Sequence, residues 1–318
     1  MAGKWMLLSG GAAAAALALL EGTQLRASTS ARARILLVSL AAYLPTYLDG
    51  SEYRAAPRRS ERASRVLRQL YKVMVNWFFT IKRPVIEASE ELTACDQCIL
   101  AVHPHGVPSL DHLLTVIAYD PDLERVLPQL RRSALSAGVL FKIPILREVL
   151  LWTGCVDAGG KTVDSCLKAG LSLSVVPGGE REQLLAQRGN KEILVLKHRK
   201  GFVKYALRHG IPLVPVYCFG ENQLFWQSSF LFKVRSWLRR TLGVALVLPY
   251  GGCCNLPGVP FSEPVQLVVG APLKLPKIEE PSGVEIAKWH ARYMECLEAL
   301  FKRHRVEAGY PELELEFI

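Results

Sequence analysis

From residue 97 onward, short apolar runs of strand length alternate with helical segments, and no other property of the chain restricts its fold as strongly. The strand-like runs are residues 97–103, 171–177, 192–196, 213–219, 244–248 and 266–269, with helical stretches between them, including 202–209. That order predicts an α/β fold, a sheet flanked by helices, rather than a helical bundle. A long amphipathic helix closes the chain. It opens at Ser282 with Glu285 three residues on, a capping box, and carries Ile286, Trp289, Tyr293, Leu297, Leu300 and Phe301 as a core stripe. With 318 residues, half of them hydrophobic, the chain has material for one large core. No internal repeat or low-complexity linker interrupts residues 96–318, which are read as one domain.

The N-terminus differs. Residues 6–20 and 35–48 are two apolar runs, the second broken by Pro45, and both are shorter than the ~20 residues of an unbroken bilayer span. Arg26, Arg32 and Arg34 lie between them. Residues 1–50 are therefore read as a membrane-embedded hairpin or paired apolar segments, with a cleaved signal peptide as the other reading of the first run. Residues 51–95 are read as a linker and a membrane-surface helix. There Val66, Leu70, Val73, Met74 and Trp77 share one helical face, and Arg62, Arg65, Arg68 and Lys72 gather on another. An ordinary helix with its apolar face in the core fits the same spacing.

A formal charge of +10 implies an anionic partner, and a mean hydropathy of +0.18 is high for a soluble chain. Aromatic and basic residues are not interleaved as in nucleic-acid modules, which favours membrane lipids or a phosphorylated substrate and disfavours nucleic acid. The eight cysteines are scattered, several within apolar runs, and read as reduced thiols. Cys95 and Cys98 form a lone C-x2-C. Zinc there would need the adjacent Cys253 and Cys254, so no metal set is assigned.

Three loci carry chemistry. In the first, an apolar run ends at His103-Pro104-His105-Gly106, where a histidine can serve as general base at neutral pH. Pro104 stiffens the turn and Gly106 permits close approach. In the second, Pro177-Gly178-Gly179-Glu180-Arg181-Glu182, a strand runs into a glycine corner whose amides can hold an oxyanion, and the Glu182 carboxylate could orient a histidine. The third runs from Arg199 to Glu221. Lys200, Lys204 and Arg208 form a cationic stripe there, suited to phosphates or simply solvated, and a buried strand follows Gly210.

These motifs resemble the type-2 diacylglycerol acyltransferase family, which includes monoacylglycerol acyltransferases and some wax synthases. Residues 103–106 match its HPHG, 177–182 its PGGxxE, and 199–221 its RxGFxxxAxxxGxxLVPxxxFGE. Further similarity lies at 144–148, 268–273 and 309–312, so the likeness covers roughly residues 70–318. The resemblance implies a glycerolipid acyltransferase-like sheet for residues 96–318 behind an N-terminal membrane segment. It implies an endoplasmic-reticulum membrane enzyme with its catalytic domain facing the cytosol, and the lipid-droplet surface as a further location. The implied reaction transfers an acyl group from acyl-CoA, a co-substrate and the only cofactor-like requirement, to diacylglycerol or monoacylglycerol.

On this reading His105 removes the acceptor's hydroxyl proton, with His103 as the competing base and Glu182 holding whichever acts. Substrate contacts fall to Pro104, Gly106, Gly178, Gly179, Arg199, Lys200, Gly201 and Phe202, with Arg199 and Lys200 facing CoA phosphates. Self-association of the chain is left open. The acyltransferase superfamily's His-x4-Asp is not reproduced, since Asp111 stands one residue too far from His105. Wax-alcohol and lysophospholipid acylation are rivals within the enzyme class. Two other classes compete: a nucleotide phosphatase, because residues 155–162 approach a Walker A loop with Cys155 in place of glycine, and a silent lipid-binding protein.

Overall fold

The computed structural model describes residues 31–55, 58–78, 80–107, 109, 132–252 and 254–318. The chain divides into two compact units, Met1–Ser51 and Glu52–Ile318. Within the first, helix α1 (Ala31–Tyr47) takes up most of the second apolar run and leaves Ile35, Leu36, Leu40 and Leu44 exposed. Among the described residues, no helix is long and apolar enough to cross a membrane. The first apolar run, residues 6–20, lies outside the described residues.

Helix α2 (Glu61–Phe78) falls within residues 51–95, where a membrane-surface helix is expected, and Val66, Leu70 and Val73 at its apolar spacing are exposed rather than packed in the core. It is held at its first turn, where Ser64 donates to the Trp152 carbonyl, 2.8 Å.

The main sheet is assembled from strands far apart in sequence. Strand β3 (Ile99–His103) sits between β8 (Leu213–Phe219) and β6 (Ser172–Val175), parallel to both. Beyond β6 lie β4 (Arg132–Ser136) and β5 (Cys155–Asp157), also parallel. On the other side β12 (Pro264–Val269) runs antiparallel to β8, and the short strands β1 (Thr80–Ile81) and β2 (Val85–Ile86) finish that edge. Parallel neighbours require crossovers. These include helices α3 (Leu146–Thr153), α4 (Gly160–Lys168), α5 (Gly179–Leu185) and α6 (Gly201–His209).

Strand periodicity sorts the core into two faces. Ile99 and Ala101 of β3 join Leu213, Tyr217 and Phe219 of β8 in one cluster, while Leu100 and Val102 join Val214, Val216 and Cys218 in the other. The first face is closed by helix α8 (Gly283–Ala308). Its capping box is formed, with Glu285 N–H donating to Ser282 Oγ at 3.2 Å and Ser282 N–H to Glu285 Oε2 at 2.8 Å. Tyr293, Leu297, Leu300 and Phe301 of its stripe are buried, as expected for a core face.

Two strand expectations need revision. Residues 192–196 contribute β7 (Lys191–Leu194), which pairs outside the main sheet with β13 (Glu314–Phe317). Residues 244–248 are not a strand. They follow helix α7 (Phe232–Leu242) within a hairpin-like excursion, in which β9 (Trp226–Gln227) pairs with β10 (Pro249–Gly251), itself paired with β11 (Leu256–Pro257). Leu246 accepts from the Arg235 guanidinium rather than from a strand, and Leu248 accepts from Ser228 N–H where the run leads into the β9–β10 pairing.

The similarity at residues 144–148 has a structural basis. Arg147 is fully buried and binds Glu52 Oε2 at 2.6 Å and Glu148 Oε1 at 2.9 Å, and Arg58 also binds Glu148. The Walker-like segment does not cradle phosphate. Asp157 Oδ2 accepts the Gly159 N–H at 2.8 Å, placing a carboxylate where an anion would have to sit.

Candidate active site

The first two motifs meet at the carboxyl ends of the parallel strands, the usual location of sites in open α/β sheets. The residues after β3 turn at Gly106, whose φ is +62°. A Cβ there would stand 2.1 Å from Glu221 Oε1, so neither the backbone angle nor the space admits another side chain. Glu221, the last residue of the third motif, is thereby packed directly beneath the first.

The two histidines have different fates. His103 continues the alternation of Ile99 and Ala101 and so points under α8, where it is completely buried. Its Nε2 pairs with the Tyr293 hydroxyl at 3.0 Å, and its Nδ1 has no partner among the described residues. Burial lowers its pKa to about 3, which keeps the ring neutral. His103 is core, and the general-base alternative assigned to it fails for want of access.

His105 is only partly covered and lines a cavity of about 330 Å³. Its Nδ1 lies 3.1 Å from the Gly106 carbonyl. A carbonyl only accepts, so Nδ1 carries the hydrogen and the basic lone pair falls on Nε2. Burial also pushes the His105 pKa below its ordinary value, so the neutral form persists at physiological pH.

Glu182 binds His105 differently from the sequence expectation. Its carboxylate does not hold the imidazole. Oε1 accepts the backbone N–H of His105 at 2.7 Å, and Oε2 accepts that of Val195, also at 2.7 Å. One buried carboxylate thus ties the ends of β3 and β7 to α5. Burial raises its pKa to about 7, opposed by the two amide hydrogen bonds. Gly178 makes room for this clamp, since a Cβ there would fall 2.1 Å from Glu182 Oε2. Gly179 lines the cavity with φ +58°, but its N–H donates to Val176 at 3.2 Å, so it does not supply the oxyanion donor expected of the pair.

The remaining expected contacts divide. Pro104 is buried at the strand end and does not line the cavity. Arg199 reaches the Gly178 carbonyl at 3.4 Å, on the edge of the glycine turn. Lys200 precedes α6 and Gly201 opens it, away from the cavity lining, and open space surrounds Gly201. Phe202 is a core residue. Its ring meets Tyr293 edge-on, centroids 5.0 Å apart, and it does not line the cavity.

Asp111 lies outside the described residues. Sequence reasoning missed Gln183, which lines the cavity and donates to the Val107 carbonyl at 2.7 Å, bracing the turn after His105. Its spacing one residue past Glu182 was the available signal. Leu135, Leu140 and Val176 furnish apolar wall, as do Val244 and Ala245 from beyond α7.

A family model described as diacylglycerol acyltransferase matches residues 35–317. Diacylglycerol O-acyltransferase 2 of Mus musculus is 36% identical over 231 residues, 68% of this chain and 59% of that protein. Acyl-CoA wax alcohol acyltransferase 2 of Homo sapiens is 35% identical over 235 residues, 69% of each chain. The match to the first spans less than two thirds of that relative's own length. A solved 1-acyl-sn-glycerophosphate (LPA) acyltransferase from Thermotoga maritima is similar with a TM-score of 0.45 at 17% identity, over 74% of this chain and 79% of that one.

Proposed function

Because the chain belongs to the diacylglycerol acyltransferase family, we propose that it is an acyl-CoA-dependent O-acyltransferase that esterifies diacylglycerol to triacylglycerol, with His105 as general base. One observation carries the assignment of the base: the single histidine of the pair that lines the cavity has its Nδ1 engaged by Gly106 and its Nε2 lone pair available. The acceptor hydroxyl gives its proton to Nε2 as its oxygen attacks the thioester carbonyl. The tetrahedral intermediate then collapses, the carbon–sulfur bond breaks, and the departing CoA thiolate takes the proton back from Nε2. A thioester is already activated, so no covalent acyl-enzyme is required. Positioned proton transfer of this kind contributes about 10²–10⁴-fold in rate.

Glu182 is a positioning residue in this scheme, fixing the backbone that carries the imidazole. Arg199, half-buried at the glycine turn, and Lys200 are the side chains proposed for the CoA phosphates. The exposed apolar face of α2 and the exposed leucines of α1 support contact with membrane lipid, and with it an endoplasmic-reticulum or lipid-droplet location. Relatives named as wax alcohol acyltransferases are as similar as those named for diacylglycerol, so a long-chain alcohol is the second acceptor to test.

The test is incubation of membranes carrying the full chain with labelled acyl-CoA and a panel of monoglyceride, diglyceride, lysophosphatidate and long-chain alcohol, with His105→Ala alongside. Labelled triglyceride that depends on His105 is the expected product. Transfer that survives His105→Ala overturns the base, and transfer confined to another acceptor replaces the substrate.

A further inference from the structure

The excursion from Trp226 to Pro249 leaves a large apolar surface uncovered. On α7 and the turn before it, Leu231, Val234, Trp237 and Leu242 recur at helical spacing on one face, with Trp237 56% and Leu242 61% exposed, and Phe230 beside them is 66% exposed. Lys233, Arg239 and Arg240 occupy the opposite side of the helical wheel. Such a face would ordinarily turn inward. Here Arg235, one position after Val234 and about 100° round the wheel from it, is the side chain of this helix that turns inward.

Arg235 is almost entirely buried and grips carbonyls from both sides of the helix: Phe230 at 2.9 Å from Nε, Leu246 at 3.3 Å, and Ser228 more closely still. It also binds Gln227 Oε1 at 3.3 Å. This buried guanidinium fixes the helix with its apolar side outward. Presentation of that side is a built feature of the segment, not a loose end.

The surface leads directly to the site. Gly243, Val244 and Ala245, which follow α7, form part of the cavity wall with His105. The lining also includes Val139 and Leu140, and a few residues on in the chain Ile143 and Ile145 are exposed, Ile145 at a φ of +70°. Two segments that line the cavity thus continue into outward-facing apolar side chains. A volume of about 330 Å³ is at the low end for small-molecule sites and cannot enclose a lipid carrying two long chains.

We propose that α7 lies in the headgroup plane of an anionic bilayer, inserting Val234, Trp237 and Leu242 beside the cavity mouth, so that a lipid acceptor presents its hydroxyl to His105 while its chains stay in the membrane. The pattern of aromatic and aliphatic residues opposite lysine and arginine is that of interfacial helices, and the chain's net charge of +10 suits an anionic surface. The identity of the acceptor rests on the acyl-transfer reading above, whereas the membrane contact of α7 does not.

The full chain is reconstituted into phosphatidylcholine vesicles, with or without phosphatidylserine, in which part of the lipid is brominated. Fluorescence quenching is compared between the wild type and Trp237→Phe. The proposal expects a Trp237-dependent component that grows with phosphatidylserine. It also expects Val234→Glu/Trp237→Glu to lose about tenfold or more of the transfer to long-chain diglyceride in vesicles, while staying within about twofold on a short-chain, water-soluble acceptor.

Absence of Trp237-dependent quenching overturns the proposal and leaves this face to a protein partner. Quenching indifferent to phosphatidylserine overturns it as well, as does a double variant that uses vesicle diglyceride like the wild type. Quenching is read without any turnover. A wild type that transfers acyl groups to neither acceptor therefore defeats the acyl-transfer reading alone.

Discussion

Two regions of this molecule bury charged groups and treat them in opposite ways. Around Arg147, every buried charge has an opposite partner within contact: Glu52 and Glu148 flank the guanidinium, and Arg58 closes the set. Beneath His105, the buried carboxylates Glu182 and Glu192 have no cation at ion-pair distance among the described residues. Backbone amides, the Tyr217 hydroxyl and Asn222 serve them instead, and burial lifts both to about 7. The histidines there shift downward for the same reason. Paired charges lock a structure. Unpaired titratable groups in a low-dielectric pocket stay near their neutral point, which is the condition a proton-transfer site needs.

The largest effect expected from breaking this contrast is on chemistry. His105→Ala should lower kcat by about 10²–10⁴-fold, measured as labelled triglyceride formed at saturating acyl-CoA. For the wild type, kcat/KM should rise with pH as the imidazole loses its proton and level off by neutrality. Because burial depresses the His105 pKa, the midpoint should fall below the ordinary histidine value of about 6.5. A midpoint above it would assign the ionisation to another group.

The paired region should answer in stability. Arg147→Met strands Glu52 in the interior and leaves Glu148 to Arg58 alone, and the loss should be about 3–5 kcal/mol by denaturant unfolding. Glu192→Gln, in the unpaired region, should behave in the reverse sense. The folded chain keeps the Glu192 proton up to a pH of about 7, whereas the unfolded chain releases it near the ordinary glutamate value of about 4.5. The native state therefore loses stability as pH climbs through that window. At pH 8 the variant should gain up to about 3 kcal/mol over the wild type, and at pH 4 the gain should vanish. A variant destabilised equally at both pH values would mean that Glu192 acts through its hydrogen bonds alone.

Much of this contrast could be read from residues in order, and some could not. The alternation through β3 and β8 sorts the core faces correctly, and counting two from Ala101 puts His103 on the face of Ile99, but with both faces buried the count does not separate it from His105. The capping box at Ser282 and the stripe of α8 were equally legible, because both depend on local spacing. Strands β4 and β5 were not. Arg132-Ser133-Ala134-Leu135-Ser136 is polar, and only its neighbours in the sheet make Ser133 a buried position. The role of Glu182 was legible as to place and not as to partner, since nothing in a PGGxxE spacing says that the carboxylate takes two amides rather than a ring. The cavity wall at Val244 and Ala245 was misread as a strand because an apolar run carries no mark of an arginine eleven residues back that takes the Leu246 carbonyl.

The finest test lies on the boundary between core and site. Tyr293 spans the two sides of the comparison: its hydroxyl meets His103 Nε2 at 3.0 Å and the Ala101 carbonyl at 3.3 Å, directly behind the strand that delivers His105. Tyr293→Phe removes the hydroxyl and keeps the ring stacked edge-on against Phe202. The hydroxyl donates to the Ala101 carbonyl and so accepts from His103 Nε2–H; the variant removes that acceptor, and the cost should be about 1–2 kcal/mol in thermal or denaturant unfolding. The pH profile of acyl transfer should keep its midpoint, since the proposed mechanism gives the ionisation to His105, on the other side of the turn. A midpoint moved by this single hydroxyl would mean that the buried histidine communicates with the reacting one through Pro104, and that the line between packed and reactive ends of β3 is drawn in the wrong place.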